Sequence, residues 1–246
     1  LYFRKKFIFE KNSKKNLKKK NIKWLKNLDN LPGGPNIFIA NEFFDALPIK
    51  QFIKKNKKWY ERNVEFLEID KLKFKDILTD IKKLEKEIGF KISYKQNFIE
   101  FSPLANKYLK IISKKIKLNR GGLLIIDYGY LNKSMKNTLQ SVLNHKYNNV
   151  LNNFGNADIT HTINFGLLEK IIKKFGLKVV GINSQEKFLI NLGILKRAEI
   201  VSKNLPFSKK ADIYYRLKRL IDNNQMGDLF KVMLITNRKI DFKTGF

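Results

Sequence analysis

Asn36-Ile-Phe-Ile-Ala-Asn-Glu-Phe-Phe-Asp-Ala-Leu-Pro48 decides how this chain folds. Asn36–Ala40 is a continuous apolar run, the pattern of a strand buried on both faces of a parallel sheet. The turn Leu31-Pro-Gly-Gly-Pro35 opens it. It ends on a polar cluster, Asn41, Glu42 and Asp45, beside two phenylalanines.

A second apolar run, Leu123-Leu-Ile-Ile126, ends on Asp127. Leu104, Tyr108, Leu109, Ile112 and Ile116 precede it at helical spacing, and Arg120-Gly-Gly122 breaks that helix. A helix between two apolar strands predicts a right-handed crossover and an α/β sheet. Phe7-Ile-Phe-Glu10 reads as a third buried strand ending in an acid, and Ile22–Leu25 as a short one. Phe52–Leu67 predicts a hairpin inserted between core elements, and Asp76–Ile88 a helix. Asn137–Asn164 shows no clear period. Beyond it come an amphipathic helix over Phe165–Phe175 stopped by Gly176 and a strand at Leu177–Val180. Ser184 then caps a helix running to about Leu192, Asp212–Asp222 forms another, and Leu229–Ile235 closes as an edge strand. The expected organisation is a single domain over residues 1–246, with an insertion at about 50–100.

Composition narrows the classes. Hydrophobic residues make up 43% of the 246, including 20 Phe, 9 Tyr and 2 Trp, enough for a core despite a net charge of +29. No apolar run approaches ~18 residues, which excludes a helical membrane span. Zero cysteines exclude a disulfide scaffold, a thiolate metal site and a cysteine nucleophile, and two histidines, His145 and His161, leave little for a metal centre, so none is expected. Of the 51 cations 44 are lysines, spread along the chain. Arginine, the better fork for phosphates and bases, is scarce, so the charge reads as solvated faces before it reads as a nucleic-acid site.

Ligands of open α/β sheets bind at the carboxyl ends of strands. Three such ends carry acids: Glu10, Asn41-Glu42 with Asp45, and Asp127. A strand-terminal acid in a nucleotide-binding unit can accept from ribose hydroxyls, a role open to Glu10. Acids there also complement a helix N-terminus, which accounts for Glu42 or Asp45 singly but less well for the octapeptide Asn41–Pro48.

That octapeptide, with later segments, resembles the MidA/NDUFAF7-like methyltransferases. The matching segments are Ala40–Ile49, Gly121-Gly-Leu-Leu-Ile-Ile-Asp-Tyr-Gly129, Thr138-Leu-Gln140 with His145, Gly155-Asn-Ala-Asp-Ile-Thr160, Gln185–Gly193 and Met226-Gly-Asp-Leu-Phe230. They occur in family order from Phe7 to about Thr236. The resemblance implies a class I, Rossmann-like methyltransferase fold: a twisted, mostly parallel sheet with inserted hairpin and helices. It implies S-adenosylmethionine as cofactor and, as acceptor, an arginine on a protein of respiratory complex I whose assembly the enzyme assists. Glu42 and Asp45 are then expected to clamp the acceptor guanidinium, Asn41 to serve the cofactor side and Glu10 its ribose. Asp127, His145 and Asp158 are expected on the substrate side.

Two departures qualify the match. The family's glycine-rich motif lies upstream of the strand ending in Glu10 and is absent, so the chain is expected to lack the first strand and helix. Relatives often read Val-Asp-Phe where this chain has Ile163-Asn-Phe165, and His161 sits one place from the family's histidine and takes no role. The expected compartment is the cytoplasm in a bacterium or the mitochondrial matrix in a eukaryote; no targeting segment is visible. Two rival readings are a non-catalytic assembly scaffold that keeps the fold and, on charge alone, an RNA- or phosphate-binding module.

Overall fold

The structure is a computed structural model that describes residues 25, 28, 31, 33–68, 71–132, 134–153, 155–237 and 243–246. The strand expected at Phe7–Glu10 lies outside them, as does Ile22–Leu25 apart from Leu25, which is in no strand.

The site-bearing sheet has the order β1 (Asn36–Asn41), β6 (Gly121–Tyr130), β12 (Phe230–Thr236), β11 (Lys178–Ser184), and a short β10 (Ile163–Asn164) pairs with the far end of β6. β1 and β6 run parallel, with Asn36 opposite Gly121 and Asn41 opposite Ile126. β10 is also parallel to β6, but β12 is antiparallel to both β6 and β11, so the described sheet is mixed rather than mostly parallel. β12 is not the expected edge strand: it lies between β6 and β11, with Val232, Met233 and Ile235 fully buried. Its run Val-Met-Leu-Ile argues burial on both faces by the criterion applied to β1.

β1 departs from its own expectation. Phe38 and Ala40 face the core, but Ile37 and Ile39 are 84% and 70% exposed. Alternate side chains point to opposite faces, and among the described residues β1 ends the sheet order. α2 (Pro103–Asn119) contacts β1 and joins the insertion to β6. Ser102 caps α2 by accepting from the Ala105 N–H, and Pro103 takes the first turn, where its missing N–H costs nothing. Leu109 and Ile116 are fully buried from this helix.

The expected hairpin is present as β2 (Lys50–Lys55) and β3 (Lys58–Glu68), joined at Asn56-Lys57 with both residues at positive φ, the type I′ geometry of a two-residue loop. It is half of a second, antiparallel sheet, β4–β3–β2–β5, completed by β4 (Lys71–Thr79) and β5 (Phe98–Phe101). The helix expected from Asp76 therefore begins later: Asp76–Thr79 belong to β4, Asp80 caps by accepting from the Lys82 N–H, and α1 spans Ile81–Ile88.

The segment without period holds a three-stranded sheet of β7 (Gln140–Leu143), β8 (Lys146–Asn148) and β9 (Asp158–Thr160). α3 (Phe165–Lys174) starts where Asn164 accepts from the Leu167 N–H, so this amide serves as an N-cap. Ser184 caps α4 (Gln185–Asn191) as expected. α5 (Ile194–Ser202), α6 (Phe207–Ile221) and α7 (Met226–Leu229) complete the chain; α5 had no counterpart in the sequence reading.

Candidate active site at the carboxyl ends of β1 and β6

Parallel pairing carries β1 and β6 to the same end of the sheet. β1 stops at Asn41, which is exposed; Glu42 turns the chain with φ 45°, a left-handed conformation uncommon for glutamate. Its N–H still donates to the Ile126 carbonyl (3.0 Å), so the turn is anchored to β6. Phe44 and Asp45 then fold inward, 1% and 5% exposed.

Asp127 fixes this turn from below. β6 does not end at Asp127 but runs on to Tyr130, which places the carboxylate inside the sheet, fully buried. Its Oδ2 accepts from the Phe44 N–H (3.0 Å) and the Asp45 N–H (3.3 Å), and its Oδ1 from the Tyr128 N–H (2.9 Å). Burial pushes the Asp127 carboxyl up to about 7, helped by the charge of Asp45 and opposed by the three N–H donors. Asp45 is pushed up to about 6, first by burial and then by the charge of Glu42, and its Oδ1 is buried with no hydrogen-bond partner. Tyr128 belongs to the same electrostatic group. Its phenol is raised by burial and by the charges of Glu42, Asp45 and Asp127, while Arg219 of α6 opposes them.

The far side of the loop is held by a second network. The His161 N–H donates to the Asp45 carbonyl (3.1 Å). Next to it, the Thr162 N–H donates to Thr138 Oγ1 (2.9 Å), and Thr138 donates through both its N–H (2.9 Å) and its hydroxyl (2.5 Å) to the carboxylate of Glu100. Gln51 Nε2 donates to the same carboxylate (2.7 Å). Burial pushes the His161 imidazole down, and its Nε2 has no partner. The antiparallel sheet thus braces the acidic loop.

Glu42, Asp45 and Asp127, singled out from sequence, come together here with Asn41. His145 and Asp158 do not join them. His145 occupies an exposed two-residue turn between β7 and β8, with Asn144 at φ 50° and His145 at φ 62°, and Asp158 starts β9 on the outside of the same small sheet. Glu10 lies outside the described residues. The sequence reading missed Tyr128, Glu100 and Thr138 as members of the site. A lone acid in the apolar run Phe98-Ile-Glu-Phe101 was the signal for Glu100, since a carboxylate in such a strand must find donors.

Among the described residues no three His, Cys, Asp or Glu side chains are spaced to hold a metal ion. What the loop offers is negative charge, part of it desolvated, at the carboxyl end of a parallel strand pair. That is the ligand-binding end of an α/β protein, with a charge suited to a cationic ligand.

Comparison with known proteins gives this class its family. The family model described as "Putative S-adenosyl-L-methionine-dependent methyltransferase" matches residues 8–183, and the chain belongs to that family. A Caenorhabditis elegans protein named protein arginine methyltransferase NDUFAF7 homolog, mitochondrial, is 33% identical over 179 residues, 72% of this chain and 42% of its own length. The human protein arginine methyltransferase NDUFAF7, mitochondrial, is 28% identical over 215 residues, covering 85% of this chain and 47% of its own. The chain spans about half the length of the curated relatives it matches. A Burkholderia thailandensis protein solved with S-adenosyl-homocysteine bound shares the fold, with a TM-score of 0.71 at 22% identity over 91% of this chain and 58% of its own.

Proposed function

We propose that this chain carries the acceptor side of a methyltransferase that moves a methyl group from S-adenosylmethionine to an arginine side chain of a protein. The observation that supports it most is the buried, partnerless Asp45 Oδ1 beside Glu42, on a loop clamped by Asp127 at the carboxyl ends of β1 and β6. S-adenosylmethionine supplies a methyl group on a positively charged sulfur, and a desolvated carboxylate fits that charge as it fits a guanidinium.

In this reading Glu42 and Asp45 orient the guanidinium by charge-assisted hydrogen bonds, holding one nitrogen in line for displacement. The cofactor would supply its methyl group to that nitrogen, which the two carboxylates hold in place. The proton shed by the nitrogen passes to Asp45, whose raised pKa of about 6 suits a temporary proton holder near neutral pH. Asn41 stands on the cofactor side of the turn and Glu10 is assigned the ribose. Asp127 serves substrate binding by fixing the loop, and His145 and Asp158 approach the acceptor protein from the small sheet. The proposed acceptor is an arginine on a protein of respiratory complex I, whose assembly the enzyme assists; the resemblance described above supports this reading. The compartment is the mitochondrial matrix in a eukaryote or the cytoplasm in a bacterium; no described helix is long and apolar enough to cross a membrane.

Glu42→Gln and Asp45→Asn test the clamp. Each keeps the size of the side chain and removes its charge. Single-turnover methylation of an arginine-containing protein substrate should fall by ~100-fold or more, as expected when a reacting group is misplaced by ~1 Å, with cofactor affinity nearly unchanged. Parental rates in both variants would place the clamp elsewhere.

A further inference from the structure

The strongest surface feature lies away from the acidic loop, on the arm formed by β3 and β4. β2 pairs with β3 only as far as Arg62, so from Asn63 to Glu68 β3 is hydrogen-bonded, among the described residues, to β4 alone. A two-stranded ribbon is at best marginally stable in water, and one that persists normally packs a face on something.

The two faces of the arm differ. Cross-strand register puts Val64 opposite Phe74, Phe66 opposite Leu72 and Tyr60 opposite Leu78, all on one face. Val64 is 50%, Phe74 39% and Leu78 60% exposed. The Arg62–Asp76 ion pair sits between the two apolar groups, and the Arg62 guanidinium stacks over the Phe74 ring at 5.0 Å. On the opposite face Ile77 is also exposed, at 49%, but Glu65 pairs there with both Lys73 and Lys75, so charge dominates that face. Soluble proteins rarely expose contiguous apolar patches larger than a few hundred Å², and larger ones mark interaction sites.

Charge identifies the occupant. Residues 61–76 hold five acids against four cations, in a chain whose 51 cations outnumber 22 acids. An acidic partner or a polyanion would be drawn to the lysine-rich remainder rather than to this arm. Two copies of so basic a chain repel each other almost everywhere, and can approach where the surface is neutral and apolar. We propose that the apolar face of the β3–β4 arm is a self-association surface, on which a second copy of this chain packs its own arm about a two-fold axis. Such a contact is isologous, so each Val64–Phe74 pair meets its symmetry mate's arm. With large side chains of ~150–250 Å² partly exposed on each copy, the buried surface is near the ~1,000 Å² lower bound for a specific interface. A reversible dimer with a micromolar dissociation constant is expected.

Sedimentation equilibrium of the full chain across 1–200 µM tests this. The parent should pass from monomer to dimer, and Val64→Lys/Phe74→Lys should remain monomeric with unchanged circular dichroism. The absence of native cysteine allows a second measurement that does not depend on the charged variants folding. Val64→Cys should form an intermolecular disulfide under mild oxidation, while Lys73→Cys, on the opposite face, should crosslink at least tenfold more slowly. A parent that stays monomeric at 200 µM, a dimer that survives the double substitution, or equal crosslinking at the two positions would overturn the proposal and leave the face to a different protein.

Discussion

Asp127 receives three backbone N–H groups, an environment that favours its charged form, yet burial and the neighbouring Asp45 outweigh them and hold its carboxyl up at about 7. Two carboxylates so placed titrate as a pair. The sign of the stability effect follows from proton counting. Between about pH 4 and 7 the folded chain keeps a proton that the unfolded chain has already lost, so the slope of unfolding free energy against pH is negative. This contribution is complete below pH ~4 and is lost as pH rises through 7. Asp127→Asn removes it together with one acceptor oxygen, at a cost of ~1–3 kcal/mol for the N–H left unpaired. The melting temperature of the variant should therefore fall further below the parent at pH 5 than at pH 8. A gap constant across that range would mean that Asp127 titrates normally. The acids themselves were legible in the sequence because they end apolar runs. That Asp127 turns inward was not, because it depends on the β1–β6 register and on β6 continuing three residues further.

Register is also where element-scale reasoning becomes testable. Gly121 opens β6 at φ 109°, and a Cβ there would lie 1.9 Å from the Asn36 carbonyl oxygen, backbone that cannot yield without moving β1. Gly121→Ala should strain the φ and shift the strand pair that positions the acidic loop, costing several kcal/mol, in the upper range for point substitutions. Gly33→Ala, with nothing within 4 Å, is the control and should change stability by less than ~0.5 kcal/mol. Chemical denaturation of both variants measures the difference. Elements with strong local signals were readable: the strand pair β1 and β6, α2 with its break at Arg120-Gly-Gly122, the β2–β3 hairpin, and α3 with its Gly176 stop. β4 was misread because Ile77 and Leu78 happen to continue the helical spacing of Ile81, Leu84 and Ile88. Asp80, an N-cap residue type, held the boundary information. β7 to β10 are two to four residues long, too short for any period to show.

At the scale of the whole molecule the governing quantity is charge. With 51 cations and 22 acids, 29 cations are in excess of the acids, and the pairs that form on the described surface are largely exposed. Exposed pairs contribute ~0–1 kcal/mol each, too little to offset repulsion summed over a net charge of +29. Salt shortens the range of that repulsion, from a Debye length of ~30 Å at 0.01 M to ~3 Å at 1 M. Folding brings the lysines closer together than they are in the unfolded chain, so screening should favour the folded state. The melting temperature should rise by several degrees between 0.02 and 0.5 M sodium chloride, at ~2–4 °C per kcal/mol for a chain of this size. Arm-mediated association should strengthen over the same range, because the contact is apolar and only the surrounding repulsion is screened. A polyanion site would behave oppositely: RNA affinity would drop by orders of magnitude between 0.05 and 0.2 M salt through loss of counterion release. Thermal melts and sedimentation on one salt series, with a labelled RNA in parallel, separate the two readings of the charge. A melting temperature that stays flat or falls with salt would show that the lysines are locally compensated and that net charge does not limit this fold.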